Sequence, residues 1–195
     1  MDKVLSVRVW GDPVLRTKAE PVETITDELL ELIEPFVETM KKEDGIGLAA
    51  NQIGIAKRFI AVSDQEKVYV LFNPKLVKWS TKTELAEEGC LSLPELQVAV
   101  ERSAKVVVQG TESDGTNIEL VARGLFARVI QHEMDHLNGI LIVDHVREGD
   151  SIKMVTRVTG QEKSEYISVS RDLVIKKYKD KYHNDQENTQ FEFSD

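Results

Sequence analysis

The sequence predicts a single domain of helices and mostly antiparallel β-strands. Short β-branched segments fill the middle of the chain, and an amphipathic helical pattern lies on each side of them. Turn residues separate the β-branched segments, which favours hairpins and antiparallel pairing. With 195 residues, 41% of them hydrophobic, the chain has the length of one domain and enough apolar side chains for an ordinary core.

The first part of the chain predicts a turn followed by a helix. Residues 4–16 alternate loosely and contain the turn signal Gly11-Asp12-Pro13. Residues 26–42 place apolar side chains at three- and four-residue steps, and Thr26 can cap the start of that helix. Pro35 lies inside the pattern and predicts a kink or a local break, because proline removes a hydrogen-bond donor and crowds the preceding turn.

Six segments between residues 58 and 122 are predicted to be strands. They are short and rich in β-branched side chains, with turn residues such as Asn73-Pro74 and Asp114-Gly115 beside them. The predicted strands are 59–62, 68–72, 76–79, 98–100, 105–109 and 117–121.

A second helix is predicted for residues 125–137. It is apolar on several sides, as expected for a helix packed inside a domain, and Gly139 supplies a left-handed cap after it. Residues 140–143 (Ile-Leu-Ile-Val) predict a further strand.

The C-terminal part of the chain gives a weaker signal. We expect the main part of the domain over residues 1–146 and an extension of the same domain over 147–195. Within the extension, 167–174 predicts a strand and 176–183 a charged helical end. Residues 184–195 are polar with almost no aliphatic side chains, and we expect them to be disordered.

The charge of the chain excludes several classes of partner. A formal net charge of −9 argues against nonspecific binding to nucleic acids or anionic membranes.

No apolar segment approaches the ~18 residues needed to span a bilayer, and the first residues lack the apolar core of a signal peptide. We therefore expect a cytoplasmic protein without direct nucleic-acid or membrane contacts.

The most informative local pattern is His132-Glu133-Met134-Asp135-His136. Four helical residues bring the second imidazole to within about 40° of the first, so both rings can face one metal ion. Glu133 lies beside the pair and can act as a base for a water molecule that the metal activates. The pattern indicates a metal site and favours hydrolysis, without naming the substrate.

A third protein ligand must come from elsewhere in the chain. The extended pattern with a third histidine shortly after Gly139 is absent, and nothing marks the downstream acids Asp144 and Glu148. Cys90 is the only cysteine, and a lone cysteine is usually a small buried hydrophobe. Its setting between Gly89 and a segment closed by proline favours exposure instead, which makes Cys90 the better ligand candidate.

The segment 45–54 is rich in glycine and carries no charge. It can be a tight connection, or a backbone that comes close to an extended substrate, for which glycine is suited. It lacks the lysine and hydroxyl of a phosphate-binding loop, so we reject that interpretation.

Three motifs together resemble the peptide deformylase family. They are Gly45-Ile46-Gly47-Leu48-Ala49-Ala50-Asn51-Gln52, then Glu88-Gly89-Cys90-Leu91-Ser92, then Gln131-His132-Glu133-Met134-Asp135-His136-Leu137-Asn138-Gly139. The resemblance covers about residues 6–146 and implies an α+β fold, in which antiparallel β-sheets pack around a central helix that carries the HExxH motif. It implies an enzyme that removes the N-formyl group from the first methionine of nascent peptides and releases formate.

The resemblance also assigns roles to residues of this chain. It implies a metal held by Cys90, His132 and His136, with Fe²⁺ as the usual ion and Zn²⁺, Ni²⁺ or Co²⁺ as substitutes. Glu133 would take the proton of the attacking water and pass it to the departing amine. The oxyanion would be stabilised by the backbone N–H of Leu91 and the side-chain amide of Gln52.

The resemblance also implies which residues contact the substrate. The backbone of Gly45, Ile46 and Gly47 would pair with the peptide as an added strand. Ile46, Leu125 and Val129 would form walls for the methionine side chain. The implied partners are N-formylmethionyl nascent peptides, which brings the enzyme transiently close to the ribosome.

The sequence does not decide how Arg128 and Gln97 affect the specificity for the peptide substrate. Arg128 is either a surface cation whose stem lies along the helix or part of the rim of the methionine pocket. Gln97 stands where some bacterial members have an arginine that contacts the substrate, so anchoring of the peptide can differ here.

Two other functions were weighed against a deformylase. One is a general HExxH metallopeptidase, which a comparison of formylated with acetylated or free peptides would separate. The other is a non-catalytic metal-binding or peptide-binding relative, against which the presence of Glu133 and Gln52 argues.

Overall fold

The computed structural model describes residues 4–64, 66–146, 151–157 and 164–175. The helices are α1 (Asp27–Lys42) and α2 (Gly124–His136), with 3₁₀ turns at Pro13–Arg16, Ala50–Ile53 and Ile142–His145. The strands are β1 (Gly47–Ala49), β2 (Phe59–Ser63), β3 (Val68–Trp79), β4 (Thr83–Cys90), β5 (Leu93–Ser103), β6 (Lys105–Thr111), β7 (Asn117–Arg123), β8 (Ser151–Arg157) and β9 (Ser164–Ser170). Among the described helices, none is long and apolar enough to cross a membrane.

The strands form two antiparallel sheets. One has five strands in the order β1-β2-β3-β6-β7, and the other has four in the order β4-β5-β8-β9. All strand pairs within both sheets are antiparallel, which confirms the expected pairing. β1 and β4 each lie at the end of their sheet, and these two strands carry residues from two of the three sequence motifs.

Helix α1 begins where the sequence predicts it. The Thr26 hydroxyl accepts a hydrogen bond from the backbone N–H of Leu29 at 3.4 Å, and Phe36 and Met40 are buried on the inner face. The break that Pro35 predicts does not occur, because the helix is a single element from Asp27 to Lys42.

Helix α2 packs into the core of the five-stranded sheet. Ala127, Ile130 and Met134 on the helix join Ile60 and Val108 of the sheet in one buried apolar cluster. This burial explains the apolar side chains on several faces of the helix, and the predicted span 125–137 differs from the observed one by a single residue at each end.

Gly139 follows α2 and has the predicted left-handed backbone conformation, with a φ of 74°. A Cβ atom there would lie 2.5 Å from the carbonyl oxygen of Arg16, so a larger residue would meet backbone.

Several predicted strands have different bounds in the structure. The two predicted strands on either side of Asn73-Pro74 are one strand, β3, in which Asn73 adopts a φ of 50° beside a register shift against β6. β5 is longer than predicted and pairs with β4 from Gln97 to Ser103 and, after a register shift, at Leu93. β4 itself was not predicted, because its sequence is mostly exposed and poor in β-branched residues.

The predicted strand at 140–143 is wrong. Ile142 and Val143 belong to a 3₁₀ turn, and both are buried in the apolar cluster of the four-stranded sheet. The carboxylate of Asp144 accepts a hydrogen bond from the Leu141 N–H at 2.7 Å and holds the turn. The β-branched composition of this segment therefore reflects burial and not strand pairing.

The extension beyond residue 146 adds two strands to the second sheet. The strand predicted at 167–174 is confirmed only as far as Ser170, where β9 ends, because residues 171–175 form a single helical turn, and β8 was not predicted. β8 pairs with β5 at Leu96 and Gln97. The helical end predicted at 176–183 and the disorder predicted at 184–195 lie outside the described residues.

Candidate active site

The structure brings Cys90, His132 and His136 together at one point. One potential ligand atom from each residue lies within 4.8 Å of the others, and Cys90 Sγ is 3.2 Å from His136 Nε2. Cys90 is the last residue of β4, and both histidines project from α2. The site therefore forms where the end of one sheet meets the helix that packs on the other.

The pKa values of the two histidines in this cluster shift in opposite directions. Burial holds the pKa of His136 well below its usual value, so that its imidazole is neutral. Burial opposes charge on His132 too, but hydrogen bonds with Cys90 and Glu88 raise its pKa well above the usual value. A thiolate and two imidazoles are a suitable donor set for a borderline divalent cation. The residues present therefore fit a metal ion.

Glu88 orients the first of the two histidines. Its Oε2 atom lies 3.0 Å from His132 Nδ1, which leaves Nε2 of that ring for the metal position. Arg102 donates two hydrogen bonds of 3.0 Å to the Glu88 carboxylate, and Arg128 donates a third of 2.7 Å. Burial alone would raise the pKa of Glu88, but the His132 and Arg102 contacts outweigh it and lower the pKa to about 2.

Glu133 has a different environment. Its carboxylate is buried, and Oε2 has no hydrogen-bond partner among the described residues. Burial raises the pKa of Glu133 to about 7. The backbone of Gly47 lies against this side chain, because a Cβ atom on Gly47 would be 2.3 Å from Glu133 Oε1. A buried carboxylate that titrates near neutrality is suited to general acid–base chemistry.

Gln52 is held next to the metal position by its own hydrogen bonds. Its Oε1 atom accepts from the Ala49 N–H at 2.8 Å, which fixes the direction of the amide. Its Nε2 atom lies 3.2 Å from Ser92 Oγ and 3.7 Å from Cys90 Sγ. A donor amide is thus fixed within reach of any group bound beside Cys90.

A cleft of about 440 Å³ opens over the cluster. Gly45 and Ile46, in the segment before β1, line this cleft, and so do Leu91 and Gln97. The remaining predicted site residues that line it are Gly47, Gln52, Cys90, Leu125, Val129, His132 and Glu133. The structure therefore gathers the predicted positions in one place, with His136 beside Cys90.

Arg128 is not a surface cation, so that interpretation of the sequence is wrong. Its side chain is 11% exposed, and it lies in the wall of the cleft. Besides Glu88, its guanidinium donates to the carbonyl oxygens of Glu84 at 2.6 Å and Val100 at 2.7 Å.

The ion-pair network next to His132 was not predicted from the sequence. Arg102 bonds to Asp135 as well as to Glu88, and the His145 ring contacts Asp135 at 2.7 Å. Arg102 is the last of the alternating buried positions of β5, after the apolar residues Val98 and Val100. A charged residue in an inward-facing position of a strand is the one signal that could have revealed it, but β5 must first be recognised over its whole length.

The donor set and the buried carboxylate beside it are those of a metal-dependent hydrolase. A model of the polypeptide deformylase family matches residues 4–151, and the chain belongs to that family.

Relatives and solved structures agree with this membership. The chain is 46% identical to a peptide deformylase of Thermotoga petrophila over 140 residues, which are 72% of this chain and 85% of that protein. It is 44% identical to that of Thermotoga neapolitana over 158 residues, 81% of this chain and 96% of the relative.

Two crystal structures are similar over most of the chain. A peptide deformylase from Synechococcus elongatus in complex with actinonin superposes with a TM-score of 0.72 at 45% identity, covering 75% of this chain and 81% of that one. A class I type b peptide deformylase from Acinetobacter baumannii, bound to Met-Ala-Ser, gives a TM-score of 0.72 at 36% identity and covers 75% and 100% of the two chains. These matches do not favour a general peptidase or a non-catalytic relative.

Proposed function

We propose that this chain hydrolyses the N-formyl amide of peptides that begin with formyl-methionine and releases formate, with Glu133 as its general base. Membership of the deformylase family supports the reaction. The observation that carries the assignment is the buried carboxylate of Glu133, whose Oε2 atom has no hydrogen-bond partner among the described residues and which lines the cleft beside the three proposed metal ligands.

The proposed cofactor is Fe²⁺ held by Cys90, His132 and His136, with Zn²⁺, Ni²⁺ or Co²⁺ as substitutes. When bound, the ion supplies a Lewis acid and a coordination position for the water that attacks the formyl carbon. The Cys90 thiolate lowers the net charge of the site to about +1, which makes it less polarising than a site with three neutral ligands.

Glu133 would move the protons of the reaction. As a carboxylate it accepts a proton from the attacking water, and as a carboxylic acid it returns that proton to the amine of methionine as the formyl C–N bond breaks. A pKa raised to about 7 by burial suits both steps, because neither form is strongly disfavoured near neutral pH. In this proposal α2 is the central helix that carries both the base and two ligands.

Gln52 and Leu91 would stabilise the oxyanion. The formyl oxygen gains negative charge when water adds to the carbon, and fixed donors stabilise that charge more than mobile water does. The Gln52 amide is already oriented by the Ala49 N–H, and Leu91 follows Cys90 directly, so its backbone N–H is the second proposed donor.

The peptide would lie along the free side of β1. β1 is at the end of its sheet, and Gly45, Ile46 and Gly47 line the cleft next to it, so an extended peptide can add as a further strand. Ile46 and Leu125 are 43% and 54% exposed, so both offer apolar surface to a ligand in the cleft. Together with Val129 they would contact the methionine side chain.

The proposed partners are nascent formyl-methionyl peptides in the cytoplasm, encountered while the enzyme is transiently close to the ribosome. The net charge of −9 supports recognition of the peptide itself over nucleic acid.

The direct test measures formate release from formyl-Met-Ala-Ser by protein purified without oxygen, together with its metal content. We expect release from the formylated peptide and none from acetyl-Met-Ala-Ser, and about one metal ion per chain, as a single three-ligand site requires. Cys90→Ala should lose most of the metal, with Ser92→Ala as a neighbouring control that keeps it. Cleavage of internal peptide bonds in place of formate release would overturn the proposal, and full metal content in Cys90→Ala would refute the ligand assignment.

A further inference from the structure

The contacts of Arg128 reach from α2 to both strands of the hairpin that carries Cys90. Arg128 lies on α2 four positions before His132. Its guanidinium donates to the Glu84 carbonyl and the Glu88 carboxylate of β4, and to the Val100 carbonyl of β5. All three acceptors are within 2.7 Å of a guanidinium nitrogen.

Arg102 joins the same hairpin to the same helix, but its side chain comes from the hairpin. It lies on β5, and it bonds to Glu88 of β4 and to Asp135 of α2. Two buried guanidinium groups, one from each partner element, therefore bridge α2 and the β4–β5 hairpin on either side of the Glu88 carboxylate. The planar fork of arginine suits this task, because it donates to several acceptors in fixed directions.

These bridges matter for the ligand geometry because the ligands come from two elements. Cys90 ends β4, two residues after Glu88, whereas His132 and His136 project from α2. A shift of the hairpin relative to the helix would move the sulfur away from the two imidazoles and would turn the His132 ring away from Glu88.

We propose that Arg128 is a positioning residue for the metal centre. It fixes the distance between the Cys90 thiolate and the two imidazoles by joining β4 and β5 to α2, and it holds Glu88 where that carboxylate orients His132. Arg128 does not touch the metal or the reacting atoms. This role rests on the proposed function, since it assumes that Cys90, His132 and His136 bind a metal.

The test compares Arg128→Met with Arg128→Lys, Arg123→Met and the unchanged protein. Arg123 is the exposed N-cap residue of α2 and the last residue of β7, so its replacement removes a charge next to the same helix and breaks none of the Arg128 or Arg102 contacts with the hairpin. For each protein, the dissociation constant for Zn²⁺ is measured by chelator competition, and Co²⁺ is added alone to record the visible and thiolate-to-cobalt absorption bands. Folding is followed by circular dichroism in the metal-free state.

We expect Arg128→Met to raise the dissociation constant for Zn²⁺ about 10- to 100-fold and to change the Co²⁺ bands. Arg128→Lys keeps a cation beside Glu88 but lacks the fork, so it should restore part of the affinity. Arg123→Met should match the unchanged protein.

Equal affinity and equal Co²⁺ bands in folded Arg128→Met would overturn the proposal, even if that variant unfolds more easily. If Arg128→Met does not fold, unchanged affinity and bands in Arg128→Lys would overturn it in the same way. Failure of the proposed function is a separate result, because the unchanged protein would then bind neither Zn²⁺ nor Co²⁺ at this site, or would release no formate.

Discussion

Two regions next to His132 each contain a buried glutamate, and they shift the pKa of that glutamate in opposite directions. Glu88 lies in a network with Arg102, Arg128 and His132, and its pKa falls to about 2. Glu133 lies against the backbone of β1, its Oε2 atom has no partner among the described residues, and its pKa rises to about 7.

The comparison shows that burial by itself does not decide the state of a carboxylate. Both groups are buried, at 6% and 3% exposure, and desolvation raises the pKa of each. In Glu88, charge-assisted hydrogen bonds outweigh desolvation, whereas in Glu133 desolvation prevails. The first group is a fixed anion that orients a ligand, and the second can exchange a proton near neutral pH.

The largest expected effect concerns catalysis. Glu133→Gln removes the proposed base while keeping the shape of the side chain, so we expect formate release from formyl-Met-Ala-Ser to fall by about 10²- to 10⁴-fold at unchanged metal content. Glu95→Gln removes a carboxylate from the wall of the same cleft and serves as the control. A rate within a few-fold of normal in Glu133→Gln would show that another group moves the proton.

The next effect concerns stability. In the metal-free protein, Glu88→Gln leaves two buried arginines without their shared partner, and we expect it to lower the free energy of unfolding by about 3–5 kcal/mol. Glu133→Gln breaks no ion pair, so it should not destabilise the protein at pH 8. Urea unfolding of both variants measures the difference, and equal losses would contradict the distinction between the two regions.

The third effect is the pH dependence of stability. Glu133 has a folded pKa above the unfolded value of 4.5, so its stabilising contribution is complete below pH 4.5 and is lost as pH rises through about 7. Unchanged metal-free protein should therefore lose about 3 kcal/mol relative to Glu133→Gln between pH 4 and pH 8.

Glu88 has the opposite sign. Its folded pKa is lowered, so its contribution is present above pH 4.5 and is lost as pH falls toward about 2. Urea unfolding over this range should show Glu88→Gln approaching the unchanged protein as the pH decreases. A parallel pH profile for the two variants would mean that the two carboxylates have similar environments.

Much of the fold could be predicted wherever the signal is local. α1 and α2 were found within one residue at each end, because a periodic apolar face and a capping residue lie within a few turns of each other. β2, β6 and β7 were found from their β-branched runs. The sequence does not predict β4, which is a strand because it pairs with β5, or β8, which pairs along its whole length with β9 and at two residues with β5.

In the candidate site, too, the features that depend on local sequence could be predicted and those that depend on distant contacts could not. The sequence by itself determined that His132 and His136 share a helix face with Glu133 between them, because helical geometry fixes residues four apart. It also offered Cys90 and Gln52 as residues for a centre of this kind. The roles of these residues remain proposals, to be tested by the variants above.

Only the tertiary structure decided which charges surround that centre. Cys90 and His136 are 46 positions apart, Glu88 and His132 are 44 apart, and Arg102 reaches Asp135 over 33. No local pattern encodes such contacts, because they depend on how the β4–β5 hairpin packs against α2. That packing keeps Glu88 ionised at neutral pH and leaves Glu133 able to exchange its proton there, a difference between the two glutamates that no local pattern in the sequence encodes.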